Sequence, residues 1–256
     1  ITINSSPIAD FSFDDGCFNI DAAFTNLSTS PDGATLTDFT WDFGDGTPTD
    51  LTEDPSHTYD APGAYDVTLD VISDEGCASS VTYTINQFDI PIADFSFENA
   101  CFGADATFTD LSAIGDPEII TGLDWDFGDG TFDIGGSPSH GYATDGTFDV
   151  TLTTTSGNGC VDMITYPVTI YPLPVADFTA ADVCVNGDPT MFMDNSTISS
   201  GILTGWDWDF GDGSGGAVAD PIKKYSADGT YDATLTVSSE FGCESTITIP
   251  VNVFEK

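Results

Sequence analysis

Arginine is missing from this 256-residue chain, and lysine occurs only three times, as Lys223, Lys224 and Lys256. Against them stand 43 Asp and Glu, for a formal charge of −40. Such a surface repels nucleic acid and anionic lipid headgroups, which excludes both as direct partners. Intramolecular ion pairs are equally scarce, so the fold must tolerate self-repulsion through salt screening or bound divalent cations. No apolar run reaches about 18 residues, and no stretch reads as a transmembrane helix. Helical periodicity is absent too. Histidine is limited to His57 and His140. What the chain does have is aromatic residues, 12% of the total and including 19 Phe. That is material for real cores, which a disordered acidic tail lacks.

These residues recur with a period. Trp41, Trp125 and Trp208 stand 84 and 83 residues apart, and Cys17, Cys101 and Cys184 follow the same steps. Pro-Ile-Ala-Asp-Phe at Pro7 and Pro91, and Pro-Val-Ala-Asp-Phe at Pro174, open the copies. Self-similarity along the whole chain marks a tandem array. Three domains are expected, over residues 1–88, 89–171 and 172–256. Thr2-Ile3-Asn4 matches Thr84-Ile85-Asn86, so residues 1–5 are expected to be the tail of a preceding repeat. Within a copy, Ala9 to Phe13 and Tyr65 to Val71 alternate apolar and polar residues as half-buried strands do. The closing stretches Val81 to Ile85, Ile164 to Ile170 and Ile247 to Val253 are rich in β-branched residues. The expected fold is all-β: three tandem immunoglobulin-like β-sandwiches. The linkers, Phe88 to Ile90 and Tyr171-Pro172-Leu173, are short, and an elongated rod is expected.

Each copy carries Trp-Asp-Phe-Gly-Asp-Gly, at 41–46, 125–130 and 208–213. Pro55-Ser56-His57-Thr58-Tyr59 and Pro138-Ser139-His140-Gly141-Tyr142 follow in two of them, while Ile222-Lys223-Lys224 replaces the Ser-His segment in the third. This pattern resembles the signature of PKD domains, named for the polycystic kidney disease protein. The resemblance implies a β-sandwich module of extracellular proteins, used as a spacer or adhesive unit, or beside a catalytic domain to hold insoluble substrate. Acidic arrays with a cysteine pair per copy resemble those of large bacterial surface adhesins and filaments. Physically, Trp41, Trp125 and Trp208 and the Phe two residues on can enter one core. Gly44, Gly46, Gly128, Gly130, Gly211 and Gly213 permit the backbone angles of a tight turn. Asp42, Asp45, Asp126, Asp129, Asp209 and Asp212 are suited to accept backbone N–H bonds there.

The six cysteines occupy two places per copy, about 60 residues apart. That spacing, without histidine partners, does not fit a zinc cluster. Disulfides and an oxidising, extracellular setting are the natural account. Pairing within a copy is expected (Cys17–Cys77, Cys101–Cys160, Cys184–Cys243), and closing such a loop is worth about 4 kcal/mol. In a strict immunoglobulin topology these positions fall at opposite ends of the sandwich. Bonds between neighbouring copies, such as Cys17 to Cys160, are the alternative.

No catalytic constellation stands out, and the chain is expected not to be an enzyme. His57 and His140 share one repeat position that copy three drops, which suits packing better than catalysis. No nucleophile elbow, zinc-protease helix or phosphate loop is present. No cofactor is required. Calcium is the ligand such carboxylates suit, either at the Gly-Asp-Gly turns (Asp45, Asp129, Asp212) or at a domain junction (Asp89, Asp124). The first functional expectation is a structural or adhesive segment of a longer cell-surface or secreted protein, a stalk or a filament-forming part. Its partners would be neighbouring repeats, its own kind, or a surface glycan. The alternative is a polymer-binding accessory module of a secreted hydrolase, for which Phe132, Tyr225 and Phe241 are candidate contacts.

Overall fold

Apolar and polar residues alternate through the long paired stretches of each copy, and a half-buried antiparallel sheet follows from that period. A computed structural model describes residues 5–185 and 187–255, all β-strand, turn and loop. The expected repeat tail at Thr2-Ile3-Asn4 lies outside the described residues. Two compact units make up the chain: the described residues of 1–95 with Leu111–Trp125 and Leu152–Ile164, then Ser96–Asp110, Asp126–Thr151 and the described residues of 165–256. The first unit contains copy one whole, and the second contains copy three whole.

In copy one, strand Gly63–Ser73 lies between Leu36–Asp42 and Ala78–Phe88, antiparallel to both. Gly16–Cys17 adds to the far edge in parallel, with Cys17 opposite Phe88. Phe11–Ser12 pairs with Thr25–Asn26, and Asp21–Ala23 with Ser56–Thr58. The strand expected over Ala9 to Phe13 is thus shorter, with Ile8 bridging Thr29 beside it. The core holds Phe11, Phe24, Trp41, Phe43, Tyr59, Val67, Leu69, Val71 and Ile85. Trp41 is its centre, fully buried, with the Phe11 ring edge-on at 5.0 Å.

Copy three repeats the plan with a five-stranded sheet ordered Val183–Cys184, Glu244–Phe254, Gly229–Ser239, Leu203–Asp209, Gly215–Gly216. Phe178–Ala180, Thr190–Asp194 and Ile222–Lys223 form the second layer. Trp208 packs there against Phe178 and Phe192, at 4.9 and 5.2 Å. The middle copy has the strand order of the third. In every copy the strand bearing Trp-Asp ends at the Gly-Asp-Gly turn, which places that turn at a sheet end.

Candidate functional site

Trp41 and Phe43 are two residues apart and both point into the core, 0% and 2% exposed. The strand then stops, because two aspartates bend the backbone. Asp42 Oδ1 accepts the Gly44 N–H at 3.0 Å, and Asp45 Oδ1 accepts the Thr47 N–H at 3.0 Å and its hydroxyl at 2.6 Å. Asp126 and Asp129 do the same for Gly128 and Thr131, and Asp209 and Asp212 for Gly211 and Ser214. These are consecutive Asx turns. Gly44 has φ +76°, and a Cβ there would lie 2.5 Å from the Asp66 carbonyl oxygen. At Gly128 and Gly211 the corresponding approaches are 2.6 Å to Asp149 and 2.8 Å to Asp232.

A second side chain covers each turn. His57 lies flat on Phe43, ring centroids 4.1 Å apart, with Nε2 2.7 Å from Asp45 Oδ2. His140 repeats this on Phe127 at 4.1 Å and Asp129 at 2.8 Å. In copy three Lys223 takes the place of the imidazole. Its Nζ is 2.6 Å from Asp212 Oδ2 and 5.5 Å from the Phe210 ring centroid. Burial works against the charge on Asp45, but bonds from the Thr47 hydroxyl, His57 and the Thr47 N–H outweigh it. Its carboxyl is held below the usual range. Asp129 is lowered likewise against burial by Thr131 and His140, and Asp212 by Lys223 and Ser214. Beneath the turn, Tyr59, Tyr142 and Tyr225 each donate a hydrogen bond to the carbonyl of the motif Phe, at 3.1, 3.2 and 3.0 Å. Burial raises all three phenols, with Asp45, Asp129 and Asp212 adding to it; Tyr142 and Tyr225 are pushed up to about 12.

A His–Asp pair is also the orienting half of a nucleophilic triad. Here a lysine fills the same place, and an ammonium cannot relay protons as an imidazole does. What His57, His140 and Lys223 share is a donor for the aspartate and a cover for the phenyl ring. Sequence reading saw Lys223 as a departure from the pattern, because matching by residue type hides a match by hydrogen-bond donor.

The cysteines correct the expected pairing. Bonds join Cys17 to Cys160 and Cys101 to Cys243, across neighbouring copies, with Cα–Cα distances of 5.7 and 5.6 Å. Each bond stays inside a single compact unit, Cys17–Cys160 in the first and Cys101–Cys243 in the second. Cys77 and Cys184 are free. The reason is strand register. Cys17 sits opposite Phe88, at the end of the strand that Cys77 precedes by one residue. Eleven residues of strand span about 35 Å, and a disulfide needs Cα atoms within about 7 Å. Pairing inside a copy is therefore out of reach.

A family model for the PKD domain matches residues 4–87, 89–170 and 172–253. This chain belongs to the PKD domain family. Among similar solved structures, the PKD1 domain of Vibrio anguillarum Epp is 28% identical, covering 33% of this chain and 96% of its own, with a TM-score of 0.31. The PKD1 domain of the Vibrio cholerae metalloprotease PrtV is 33% identical, covering 32% of this chain and 98% of its own, with a TM-score of 0.30. A structure from a 1.5-MDa bacterial ice-binding adhesin is 12% identical, covering 99% of this chain and all of its own, with a TM-score of 0.36.

The candidate calcium ligands are not gathered in these PKD repeats. Both oxygens of Asp45 are engaged, Oδ1 by Thr47 and Oδ2 by His57, and Asp129 and Asp212 are used the same way. Asp89 accepts the N–H groups of Ile90 and Gly115, while Asp124 is exposed on its strand. Among the described residues no group of three or more His, Cys, Asp or Glu is placed to hold a metal ion. The candidate aromatic contacts are not a row either. Tyr225 is buried, Phe241 stacks on Tyr171 at 4.0 Å, and Phe132 stands exposed.

Proposed function

We propose that this chain is a non-catalytic, tension-bearing segment of a longer secreted or cell-surface protein, a stalk built of PKD repeats. The observation that carries the reading is that both disulfides join neighbouring copies rather than closing single domains. A bond inside one domain protects only that domain. These two overlap along the chain, so that three covalent strands, residues 17–101, 101–160 and 160–243, run in parallel between them. Even with every domain unfolded, the shortest strand, 101–160, limits extension. The scarcity of Lys and the absence of Arg remove most trypsin-like cleavage sites, which suits exposure outside a cell. The oxidising setting that disulfides need points the same way.

Single-molecule stretching from the two termini tests this. Under oxidising conditions the fully unfolded chain should stop short. Reduction should release roughly 550–600 Å more, at about 3.3–3.6 Å per residue. Equal extension in both conditions would remove the ground for the reading.

A further inference from the structure

We infer that the groove where copy one meets copy two is a binding site for a neutral sugar residue, with Gln87 and Glu118 taking its hydroxyls. The groove measures about 310 Å³ and lies wholly inside the first compact unit. Pro62, Gln87 and Phe88 line it from copy one, Asp89 from the link, and Asp116 and Glu118 from copy two. Its volume is at the small end of ligand pockets, which suits a single ring.

The amide of Gln87 is out of keeping with the fold. Strand Ala78–Phe88 turns Ile85 and Gln87 inward and Asn86 outward. Copies two and three bury Ile170 and Val253 at the repeat position of Gln87. Copy one buries the amide there instead, 3% exposed, and neither its Oε1 nor its Nε2 has a hydrogen-bond partner in the protein. An unpaired buried amide is destabilising where the fold elsewhere takes an aliphatic side chain, so packing gives no reason for it. Gly16 and Gly63 stand opposite Gln87 on the two neighbouring strands, and neither sets a side chain beside it. In copy three Val183 fills one of those places, opposite Val253.

A second unpaired group lines the same groove. Glu118 Oε1 accepts the Asp89 N–H at 3.0 Å, while its Oε2 is buried without a partner. The loop carrying Glu118 is held in place. Asp89 Oδ2 accepts the Gly115 N–H at 3.1 Å, and the Glu118 N–H donates to the Gly115 carbonyl at 3.0 Å. The carboxylate is therefore positioned before any ligand arrives. The corresponding groove between copies two and three, inside the second unit, is lined by Phe102, Leu173, Val175 and Ile198. With Ile170 in place of the amide, that junction is apolar where the first is polar.

The unpaired atoms select the ligand by their chemistry. Gln87 Oε1 and Glu118 Oε2 accept hydrogen bonds, and Gln87 Nε2 donates them. A metal ion or an ammonium serves the two oxygens and leaves the amide N–H groups unpaired. An anion serves only those N–H groups and meets Asp89, Asp116 and Glu118 on the walls. A hydroxyl both donates and accepts, so neighbouring hydroxyls on a ring complete the whole set. The apolar C–H face of the same ring has Pro62 and the half-buried Phe88 to lie on. The acidic walls exclude uronic acids and other anionic sugars. This site is separate from the aromatic contacts Phe132, Tyr225 and Phe241, none of which lines the groove.

Saturation-transfer NMR on the full chain, with glucose, galactose and mannose as probes and glucuronate as the anionic control, tests the site. At least one neutral sugar should receive saturation from the protein, and glucuronate at least tenfold less. Gln87→Ile introduces the residue that copy two carries at this position, so the variant should fold, with a melting temperature no lower than wild type. Its transfer should fall at least tenfold. Glu118→Gln, which keeps an acceptor but loses the charge, should fold too and weaken transfer severalfold. Absence of transfer to all three neutral sugars would mean that water alone serves these atoms, and would overturn the inference. So would transfer that Gln87→Ile leaves unchanged, or glucuronate bound as well as the neutral sugars. The inference does not require that the array bear tension, and stretching of the chain tests that reading separately.

Discussion

Copies one and two close their Gly-Asp-Gly turn with an imidazole, and copy three closes the same turn with an ammonium. Everything else about the turn is shared: two Asx bonds, a buried Trp and Phe, a glycine pressed against a backbone carbonyl, and a tyrosine bonded from below. The cover over the phenyl ring can therefore change chemistry while the frame beneath it cannot. This ordering, rigid below and exchangeable above, predicts how substitutions in the turn will rank.

The largest loss should come from the first glycine. Gly211→Ala places a Cβ 2.8 Å from the Asp232 carbonyl oxygen at φ +76°, and the obstacle is backbone that cannot swing away. About 3 kcal/mol or more is expected, from strain at positive φ and the clash together. Gly213→Ala, also at positive φ but facing open space, should cost about 1 kcal/mol. Urea midpoints of the two variants make the comparison, and Gly44 and Gly46 repeat it beneath a histidine. Equal losses at both glycines would show that the carbonyl contact is not the constraint.

Next comes the tyrosine. Tyr225→Phe leaves the Phe210 carbonyl without its buried donor, for a loss of about 1–2 kcal/mol. Tyr59→Phe and Tyr142→Phe should match it despite the different cover, since the bond lies below the exchangeable layer. The raised phenol pKa values add an alkaline limit. A group that ionises less readily folded than unfolded contributes stability that is complete below the unfolded value, near 10. That contribution is lost as pH rises from there towards about 12. Thermal melts from pH 8 to 11 should fall for wild type and flatten for the Phe variants.

The frame was legible in sequence because its parts are fixed in type and spacing. Trp41 and Phe43 alternate into the core, glycine is demanded by backbone angle, and the all-β sandwich follows from period-two stretches such as Gly63–Ser73. Disulfide partners were legible only as two alternatives, of which the second, Cys17 to Cys160, is the one formed. Every copy holds both cysteine types, so pairing within a copy and pairing with a neighbour leave the same pattern in sequence. The immunoglobulin layout set the two positions at opposite ends and left Cys17 to Cys160 as the alternative, and the parallel register of Gly16–Cys17 against Gln87–Phe88, which puts Cys17 at the far end of the strand from Cys77, decides for it. The aspartates of the turn were legible as acceptors of backbone N–H groups, but their type alone does not single out that role. Carboxylates beside glycines suit calcium and Asx turns equally well, and the choice depends on which N–H groups the folded backbone turns towards them.

The cover itself should show a smaller effect. Lys223→Ala removes the ion pair with Asp212 and the cation over Phe210, a loss of about 1 kcal/mol at this partly exposed site. Lys223→His should recover most of it, and His57→Lys should be nearly neutral in copy one. If Lys223→His is no better than Lys223→Ala, the two covers are not interchangeable, and the likeness drawn between the copies fails. Double substitution with Asp212→Asn would then show whether charge or ring contact sets the difference.

Acid should produce the gentlest effect, and its sign follows from the carboxyls. Asp45, Asp129 and Asp212 are each lowered in the folded chain. Below the unfolded value, near 3.9, the unfolded chain takes up protons first, so stability falls as pH drops through the folded values. Protonation elsewhere on the surface works the other way, because it relieves the repulsion of a chain at −40. The two should oppose one another below about pH 4, and salt separates them. In 1 M NaCl, where screening acts within about 3 Å, the repulsion is already quenched and only the carboxyl loss remains. Melting temperature should then decline steadily below pH 4 in high salt, with a shallower decline in low salt. Asp212→Asn, which removes the lowered carboxyl of the copy-three turn, should flatten the high-salt curve in part. A high-salt curve that is already flat for the wild type would mean the three turns do not hold their aspartates in the charged form.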